Sequence, residues 1–205
     1  MAKICFIADL HFGHKDVIAF DKRPFSSVEE MEAEMIRRWN GRVSEGDHVF
    51  VIGDMFGGVN TAHAGEIVRA LNGRIHLIRG NHDPKGEVFE SFIEEVVPSK
   101  QIQVRVRGVK QWVVMRHRLL PIFKGHDEGV VMLYGHTHDS FVSHAEDQYI
   151  SFMNWLGIPL HAVNVGACRM DYEPRTLEEI LENAGVIMPR PKGNPVITHD
   201  GGGHE

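Results

Sequence analysis

The stretch RIHLIRGNHDP, residues 74–84, joins a nearly continuous apolar segment to a short polar turn. Its first part predicts a buried strand, Arg74–Ile78, because strands covered on both faces read as apolar runs. The turn Gly80-Asn81-His82-Asp83 offers little to a hydrophobic core, and an Asn side-chain oxygen is a hard, neutral ligand for a divalent cation. The stretch therefore indicates a ligand site at the end of a strand. A polar turn capped by Asn81 is the alternative interpretation.

The residues before this stretch show the same arrangement twice. Two further buried strands are predicted, Lys3–Leu10 and Asp47–Ile52. Two stretches with helical spacing alternate with the strands: Ser27–Trp39 and Thr61–Leu71. This βαβαβ order implies parallel strands, whose carboxyl ends meet at one edge of a sheet. Polar residues follow both strands at that edge: Asp9-Leu10-His11 and Gly53-Asp54.

The chain after residue 100 predicts strands with a different connection. Alternating residues on either side of Gly108-Val109-Lys110 predict a β-hairpin, and two apolar strands follow it. These four strands are Ile102–Arg107, Gln111–Arg116, Val130–Tyr134 and Leu160–Val165. A last helix is predicted at Leu177–Ala184, where Thr176 and Glu179 are spaced for a capping box.

Histidines follow two of these later strands. Gly135-His136-Thr137-His138 comes directly after Val130–Tyr134. Alternate residues of an extended segment point the same way, so Asp9 and His11 can hold a single ion, and His136 and His138 can share one ion or bind one each. His117 follows the hairpin between two arginines, which lower the pKa of an imidazole and suit a neutral ligand. A basic surface turn explains His117 equally well.

Composition limits the class of protein. The chain has 205 residues, 42% of them hydrophobic and 24% charged, which is the balance of a folded domain with a sizeable core. Its apolar N-terminal run is too short for a signal peptide, and no segment approaches the ~18 apolar residues of a membrane helix. We therefore predict a cytoplasmic protein that does not bind membranes. The net charge of −6 argues against broad, non-specific binding to nucleic acid.

The order DxH, GD, GNHD, H and GHxH resembles the calcineurin-like metallophosphoesterase family between Ile4 and Gly166. The resemblance implies an α/β fold, a two-layer mixed β sandwich flanked by helices, with a dinuclear metal site between the strand ends. We predict one domain over residues 1–188 and a flexible tail over residues 189–205. Many family members carry a second acid in the pattern GDxxD, which this chain lacks after Asp54.

The same resemblance implies a set of ligands for each of two divalent ions. The first ion is expected to bind Asp9, His11, Asp54 and His138, and Asp54 is expected to bridge to the second. The second ion is completed by Asn81, His117 and His136. Many family members have a small residue ahead of the histidine at the place of His117, so His126 is a reserve candidate for that role. Mn²⁺ is the predicted ion, with Fe or Zn as alternatives, because the oxygen and nitrogen ligands include no thiolate.

The chemistry implied is hydrolysis of a phosphoester. Two ions ~4 Å apart clamp phosphoryl oxygens and acidify a water, so that a metal-bound hydroxide attacks. His82 is the predicted general acid, with Asp83 to orient it, and capping of the turn by His82 is the alternative. Substrate contacts are predicted for Arg79, His14 and Arg23, although a structural role for Arg79 is equally compatible with the sequence.

The substrate class stays open among three interpretations. A phosphodiesterase for nucleotide-like or small diesters is favoured. The chain is too short for a large specificity domain, which leaves the site accessible to a diester. A phosphomonoesterase with the same site and a non-catalytic binding scaffold are the alternatives. A basic stretch in the hairpin could receive a nucleotide or a nucleic acid, and a half-exposed hairpin explains it as well: Arg105, Arg107, Lys110, Arg116 and Arg118.

Overall fold

The structure is a computed structural model that describes residues 2–186. It contains two mixed sheets with helices packed outside them, as the sequence predicted. The predicted tail, residues 189–205, lies outside the described residues, and the domain limits stay a prediction. In the part of the chain that is described, none of the helices has the length and apolar character needed to cross a membrane.

The first sheet contains the three strands predicted from the N-terminal half of the chain. Its order is β4-β3-β2-β1-β9, and its first four strands are parallel while β9 is antiparallel. The strands are β1 (Ile4–Ile7), β2 (His48–Ile52), β3 (Arg74–Ile78), β4 (Glu95–Val97) and β9 (Arg175–Thr176). Since β1, β2 and β3 run the same way, their carboxyl ends meet at one edge, where Asp9, Asp54 and Asn81 follow them.

The second sheet contains the predicted hairpin and the two later strands. Its strands are β5 (Lys100–Val106), β6 (Val109–Met115), β7 (Val131–Tyr134) and β8 (Ala162–Asn164), in that order across the sheet. The hairpin pair is antiparallel, whereas β6, β7 and β8 are parallel. His117 and His136 therefore leave this sheet at a shared edge.

The two sheets face each other across an apolar layer. Alternate residues of β1, such as Phe6, pack with Ile52 of β2 and with Val113 and Leu133 of the second sheet. The sheets are also joined at the site edge, because Ala8 donates its N–H to the carbonyl of Val165 at 2.8 Å. This bond holds the end of β1 beside the end of β8.

Helices cover the outer faces of the sandwich. They are α1 (Lys15–Phe20), α2 (Val28–Arg42), α3 (Thr61–Ala70), α4 (Glu87–Glu90), α5 (Phe141–Trp155) and α6 (Leu177–Asn183). The predicted capping box of Thr176 and Glu179 begins α6. The Ser27 hydroxyl caps α2 by accepting the N–H of Glu30, and the Glu30 carboxylate accepts the N–H of Ser26.

Candidate metal centre

The predicted ligands meet in two adjacent clusters between the sheets. The first contains Asp9, His11 and His138, and the second contains Asp54, His117 and His136. Within each cluster the ligand atoms all lie within 4.8 Å of one another. Each cluster combines residues that follow strands of both sheets, so a bound ion would connect the two layers.

Asp54 lies between the clusters. Its Oδ2 atom is 3.2 Å from Nε2 of His117 and 3.7 Å from Nε2 of His11, so one oxygen faces both groups. Its other oxygen, Oδ1, accepts the backbone N–H of His82 at 2.8 Å. A bridging carboxylate needs one oxygen that faces both ions. The hydrogen bond to Oδ1 fixes the carboxylate group, so Oδ2 keeps that orientation.

Asn81 extends the second cluster. Its Oδ1 atom lies 3.2 Å from Nε2 of His117. The amide oxygen is therefore close enough to that imidazole to bind the same ion, and the role of Asn81 as a ligand stays a prediction. His126 belongs to neither cluster. Its Nδ1 atom lies 3.3 Å from the carbonyl oxygen of Pro159 instead. The reserve prediction for His126 was wrong.

Five of the predicted ligands have left-handed backbone conformations. The φ angles of Asp9, His11, Asp54, His136 and His138 lie between 49° and 74°. The expectation that DxH and HxH leave their strands as extended segments was therefore wrong. Non-glycine residues reach this region at a cost of roughly 1–2 kcal/mol each, and such conformations cluster where a function requires them.

Two glycines allow the close approach of these loops. A Cβ atom on Gly80 would lie 2.2 Å from Oδ1 of Asp54, and one on Gly135 would lie 2.4 Å from Oδ2 of Asp9. A side chain at either position would displace a carboxylate of the site. The glycines that precede Asn81 and His136 are thus required by space rather than by turn type.

Two histidines of the clusters, His138 and His117, are held through their second ring nitrogens. Nδ1 of His138 donates to the carboxylate of Asp21 at 2.8 Å, and Nδ1 of His117 donates to the carbonyl of Ile52 at 3.1 Å. Nε2 of each ring is then directed at the cluster. Burial lowers the pKa of His138, but Asp21 more than offsets this effect and raises it. Asp21 was missed in the sequence because no motif marks it.

Arg23 supports this arrangement instead of contacting substrate. Its side chain is fully buried, with donors on the carbonyls of Leu10 and Asp9 at 2.7 and 2.9 Å and on the carboxylate of Asp21 at 3.0 Å. A group with no exposed surface cannot reach a bound phosphoester. The prediction of substrate binding by Arg23 is therefore corrected to a structural role.

Burial and neighbouring side chains together set the charge of the predicted ligands. Burial raises the pKa of Asp9 to about 6, and with the neighbouring His138 it lowers the pKa of His11 to about 3. Burial, His117 and Arg118 lower the pKa of His136 to about 4. Burial alone would raise the pKa of Asp54, but its hydrogen bond with His117 holds it at about 2. At neutral pH the His11 and His136 rings are consequently neutral and able to bind an ion.

Asp83 holds the neighbouring loop and does not orient the His82 ring. Its buried carboxylate accepts the N–H groups of Gly80, Asp54 and Met55 at 2.7 to 2.9 Å. These bonds connect the turn after β3 to the turn after β2. Asp83 therefore supports the loop after Asp54, in a chain that lacks the second acid of the GDxxD pattern.

The remaining candidates divide between the site and the scaffold. His82 is exposed, with its ring centroid 5.3 Å from that of His11 and 5.7 Å from that of His14. Arg79 is committed elsewhere, because it donates to the carbonyl of Pro84 at 2.7 Å and pairs with Glu90. An arginine that the sequence did not single out for this role, Arg118, donates to Oδ1 of Asn81 at 3.3 Å.

The residues present fit two divalent ions. The Nε2 atoms of His11 and His138 are 3.1 Å apart, near the separation expected for two nitrogens each about 2.1 Å from one ion. Together the clusters provide carboxylate, amide and imidazole donors without a thiolate, a set suited to Mn, Fe or Zn.

The chain is similar to proteins whose own functions are not described by their names. It is 47% identical over 90 residues to an uncharacterized protein of Methanocaldococcus jannaschii, a match that covers 43% of this chain and 51% of that relative. This chain thus matches about half the length of that protein. It is 27% identical over 169 residues to the gene 66 protein of Mycobacterium phage L5, across 69% of this chain and 80% of the phage protein.

Comparison of structures supports the fold. A protein of unknown function from Aquifex aeolicus has a TM-score of 0.67 and 21% sequence identity, over 89% of this chain and 100% of that chain. At this identity the likeness shows the fold alone. The sequence model of the calcineurin-like phosphoesterases matches residues 2–188, which include every predicted ligand. The chain belongs to the calcineurin-like phosphoesterase family.

Proposed function

We propose that the chain is a dinuclear metal-dependent phosphoester hydrolase that acts on small or nucleotide-like phosphodiesters. The observation that carries the proposal is the position of Asp54, one oxygen of which faces both clusters. A single-ion site would have no use for a carboxylate placed between two groups of ligands. Mn²⁺ is the favoured ion, and Fe or Zn are alternatives for the same donors.

When bound, the two ions supply an acidified water and neutralise the phosphoryl oxygens. The chain contributes the geometry that this chemistry needs. Asp83 ties together the turns that carry Asp54 and Asn81, and Asp21 fixes the tautomer of His138. Arg23 holds the backbone of Asp9 in place. The donors are thus oriented before a substrate arrives, which lowers the cost of reaching the transition state.

His82 is the proposed general acid for the leaving alkoxide. The His82 ring is exposed and lies beside His11, and the backbone N–H of His82 donates to Asp54. The ring therefore lies at the solvent-exposed mouth of the metal centre and not between the ligands. The neighbouring ring of His14 also lines the mouth. With the Asp83 carboxylate engaged by backbone N–H groups, His82 acts without a carboxylate partner.

Arg118 is the proposed phosphate-binding residue, in the role first assigned to Arg79. The guanidinium contacts Asn81 and belongs to an exposed residue, so its remaining donors can reach an incoming phosphoryl oxygen. An arginine offers several N–H groups in a planar fork that matches a phosphate.

Small diesters are favoured over nucleic acid. The basic stretch of the hairpin is partly neutralised within the chain, because Arg107 pairs with Glu178 and Glu182. A phosphomonoesterase is the second candidate, and the exposed mouth formed by Asn81, His82 and Arg118 favours the diester. A closed pocket would be expected for a dedicated monoester.

The experiment is an activity panel with added Mn²⁺. It compares bis-p-nitrophenyl phosphate, p-nitrophenyl phosphate, cyclic nucleotides and DNA for the unmodified chain and for Asp54→Asn. We expect the diester to be hydrolysed fastest and Asp54→Asn to lose nearly all activity. A chain that hydrolyses none of these esters, or a variant as active as the parent, would refute the proposal. Faster hydrolysis of the monoester would favour the second candidate.

A further inference from the structure

Both sides of α5 are apolar, although only the inner side packs against the protein. Ile150 and Met153 on its inner side pack against the second sheet. Its outer side is also apolar and is exposed: Phe141 is 88% exposed, Phe152 53% and Trp155 79%. We call this surface the outer face of α5, and it consists of Phe141, Val142, Tyr149, Phe152, Trp155 and Leu156.

The outer face of α5 carries no formal charge. The helix contains no lysine or arginine, and its two acidic residues are turned toward the protein. Glu146 accepts from the hydroxyl of Thr137 at 2.7 Å, and Asp147 pairs with Arg169. The charged groups of α5 are therefore paired with residues outside the helix, and the exposed surface is left to apolar side chains.

The outer face is large enough to form a stable interface. From their exposed fractions, its six residues present roughly 700 Å² of surface, whereas the largest apolar patch of an ordinary monomer is ~300–600 Å². A standard-sized interface takes about 800 Å² from each partner. Leaving this much apolar area in water would be unfavourable at about 25 cal/mol per Å².

Part of the outer face is already ordered for contact. The rings of Phe152 and Trp155 stack on each other with centroids 5.9 Å apart and an angle of 24° between their planes. Aromatic residues of this kind are the usual anchors of protein interfaces. Because they already pack on one another, less side-chain freedom is lost when a partner covers them.

We propose that the outer face of α5 is the interface of a homodimer, in which α5 packs against α5 of a second copy. An uncharged face suits a partner of identical surface, since like charges would otherwise meet across the two-fold axis. The chain carries a net charge of −6, and a contact through the outer face of α5 brings together residues that carry no formal charge. An anionic membrane or a nucleic acid would require lysine or arginine, which α5 lacks.

An antiparallel pairing fits the order of side chains along α5. A two-fold axis at the middle residue, Gln148, places each end of the helix against the opposite end of the other copy. Phe141 then lies opposite Trp155 of the second copy, so the two most exposed rings of the outer face meet. Gln148, which is exposed, is expected to lie beside Gln148 of the second copy.

Sedimentation velocity over a wide range of concentration tests the proposal on the full chain. We expect a species of twice the 23.2 kDa chain mass. Phe152→Glu and Trp155→Glu should both be monomeric. Val88→Glu is the matched control, since Val88 is 67% exposed on α4, which packs against the first sheet through Phe89, and it should still form the dimer. Thermal unfolding checks that each variant is folded.

A disulfide supplies a second readout that does not depend on a disruptive variant. Oxidised Gln148→Cys should yield a covalent dimer, and adding Phe152→Glu should prevent it. An unmodified chain that stays monomeric at every concentration would overturn the proposal. So would a dimer that survives both glutamate variants, or Trp155-dependent binding to phosphatidylglycerol vesicles in place of self-association.

Discussion

His138 shows how a single buried hydrogen bond can orient a predicted ligand. Its Nδ1 atom is held by the Asp21 carboxylate, which Arg23 also binds, so Nε2 is left for the ion. Outer partners of this kind change metal affinity by about 10–100-fold when removed. The Asp21–His138 bond is therefore expected to matter although Asp21 does not face the clusters directly.

Asp21→Asn should lower Mn²⁺ affinity and activity by about 10–100-fold, because an amide oxygen is a weaker acceptor than a carboxylate. Isothermal titration calorimetry measures the affinity. Asp16→Asn is the matched control, since Asp16 is an exposed acid on the same α1 segment. Equal affinities for the parent and the Asp21 variant would show that the hydrogen bond does not orient the ligand.

Arg118→Ala should reduce kcat/KM by about 10–100-fold, the effect expected from losing a hydrogen bond with a charged group worth ~1.5–3 kcal/mol. The loss should fall mainly on KM, and Arg118→Lys should recover part of it. Steady-state kinetics on bis-p-nitrophenyl phosphate measure both constants. Arg116→Ala, an exposed neighbour, is the control and should change little. A larger effect at Arg116 than at Arg118 would remove Arg118 from phosphate binding.

The sequence indicated which residues gather, but not how their backbones allow it. The seven predicted ligands follow strand ends, and strand ends can be read from apolar runs. The left-handed φ angles of Asp9 and His138 are determined by contacts between loops that are distant in the chain. Arg118 and Asp21 were missed for the same reason, since their partners lie 37 and 117 residues away.

The loop after β3 depends on close contact with the loop after β2. Gly80→Ala should abolish Mn²⁺ binding to the second cluster, because the new methyl group would collide with both the side chain and the backbone N of Asp54. Gly41→Ala is the matched control, since a Cβ atom there meets nothing within 4 Å. Gly41 lies in the last turn of α2, so the substitution should stabilise the chain by less than the ~1 kcal/mol expected in a helix interior.

Calorimetric titration of Mn²⁺ and thermal unfolding distinguish these two outcomes. The Gly80 variant should be folded but deficient in metal binding, whereas the Gly41 variant should bind like the parent with a higher Tm. Normal metal binding by the Gly80 variant would mean that the loop can move away from Asp54 at no cost. The prediction that metal binding requires close contact between the two loops would then be wrong.

The elements that pattern alone predicted were the buried strands with continuous apolar runs, the alternating hairpin and the helices with one apolar side. The strands β1, β2 and β3, the hairpin, and the helices α2 and α3 were predicted within a few residues. The helix α5 was not predicted, because its apolar residues lie on both its inner and outer sides and blur the helical period. A helix that packs against a second copy needs an apolar outer side, so the proposed dimer accounts for the apolar residues on both sides of α5.

At the scale of the molecule, the sandwich and the metal centre depend on each other. Asp9 and Asp54 come from the first sheet, while His117, His136 and His138 come from the second. The parallel order of β1 to β3 followed from the sequence. That the two sheets pack face to face was implied only by the family resemblance, because residue spacing within one sheet does not indicate what packs against it.

The metal content of the purified chain tests the central claim most directly. After equilibration with Mn²⁺ and removal of free ion, elemental analysis should find two ions per chain. Asp54→Asn should retain fewer, because both ions lose the shared oxygen. One ion or none in the unmodified chain, or two tightly held ions in Asp54→Asn, would contradict a centre built around a bridging Asp54.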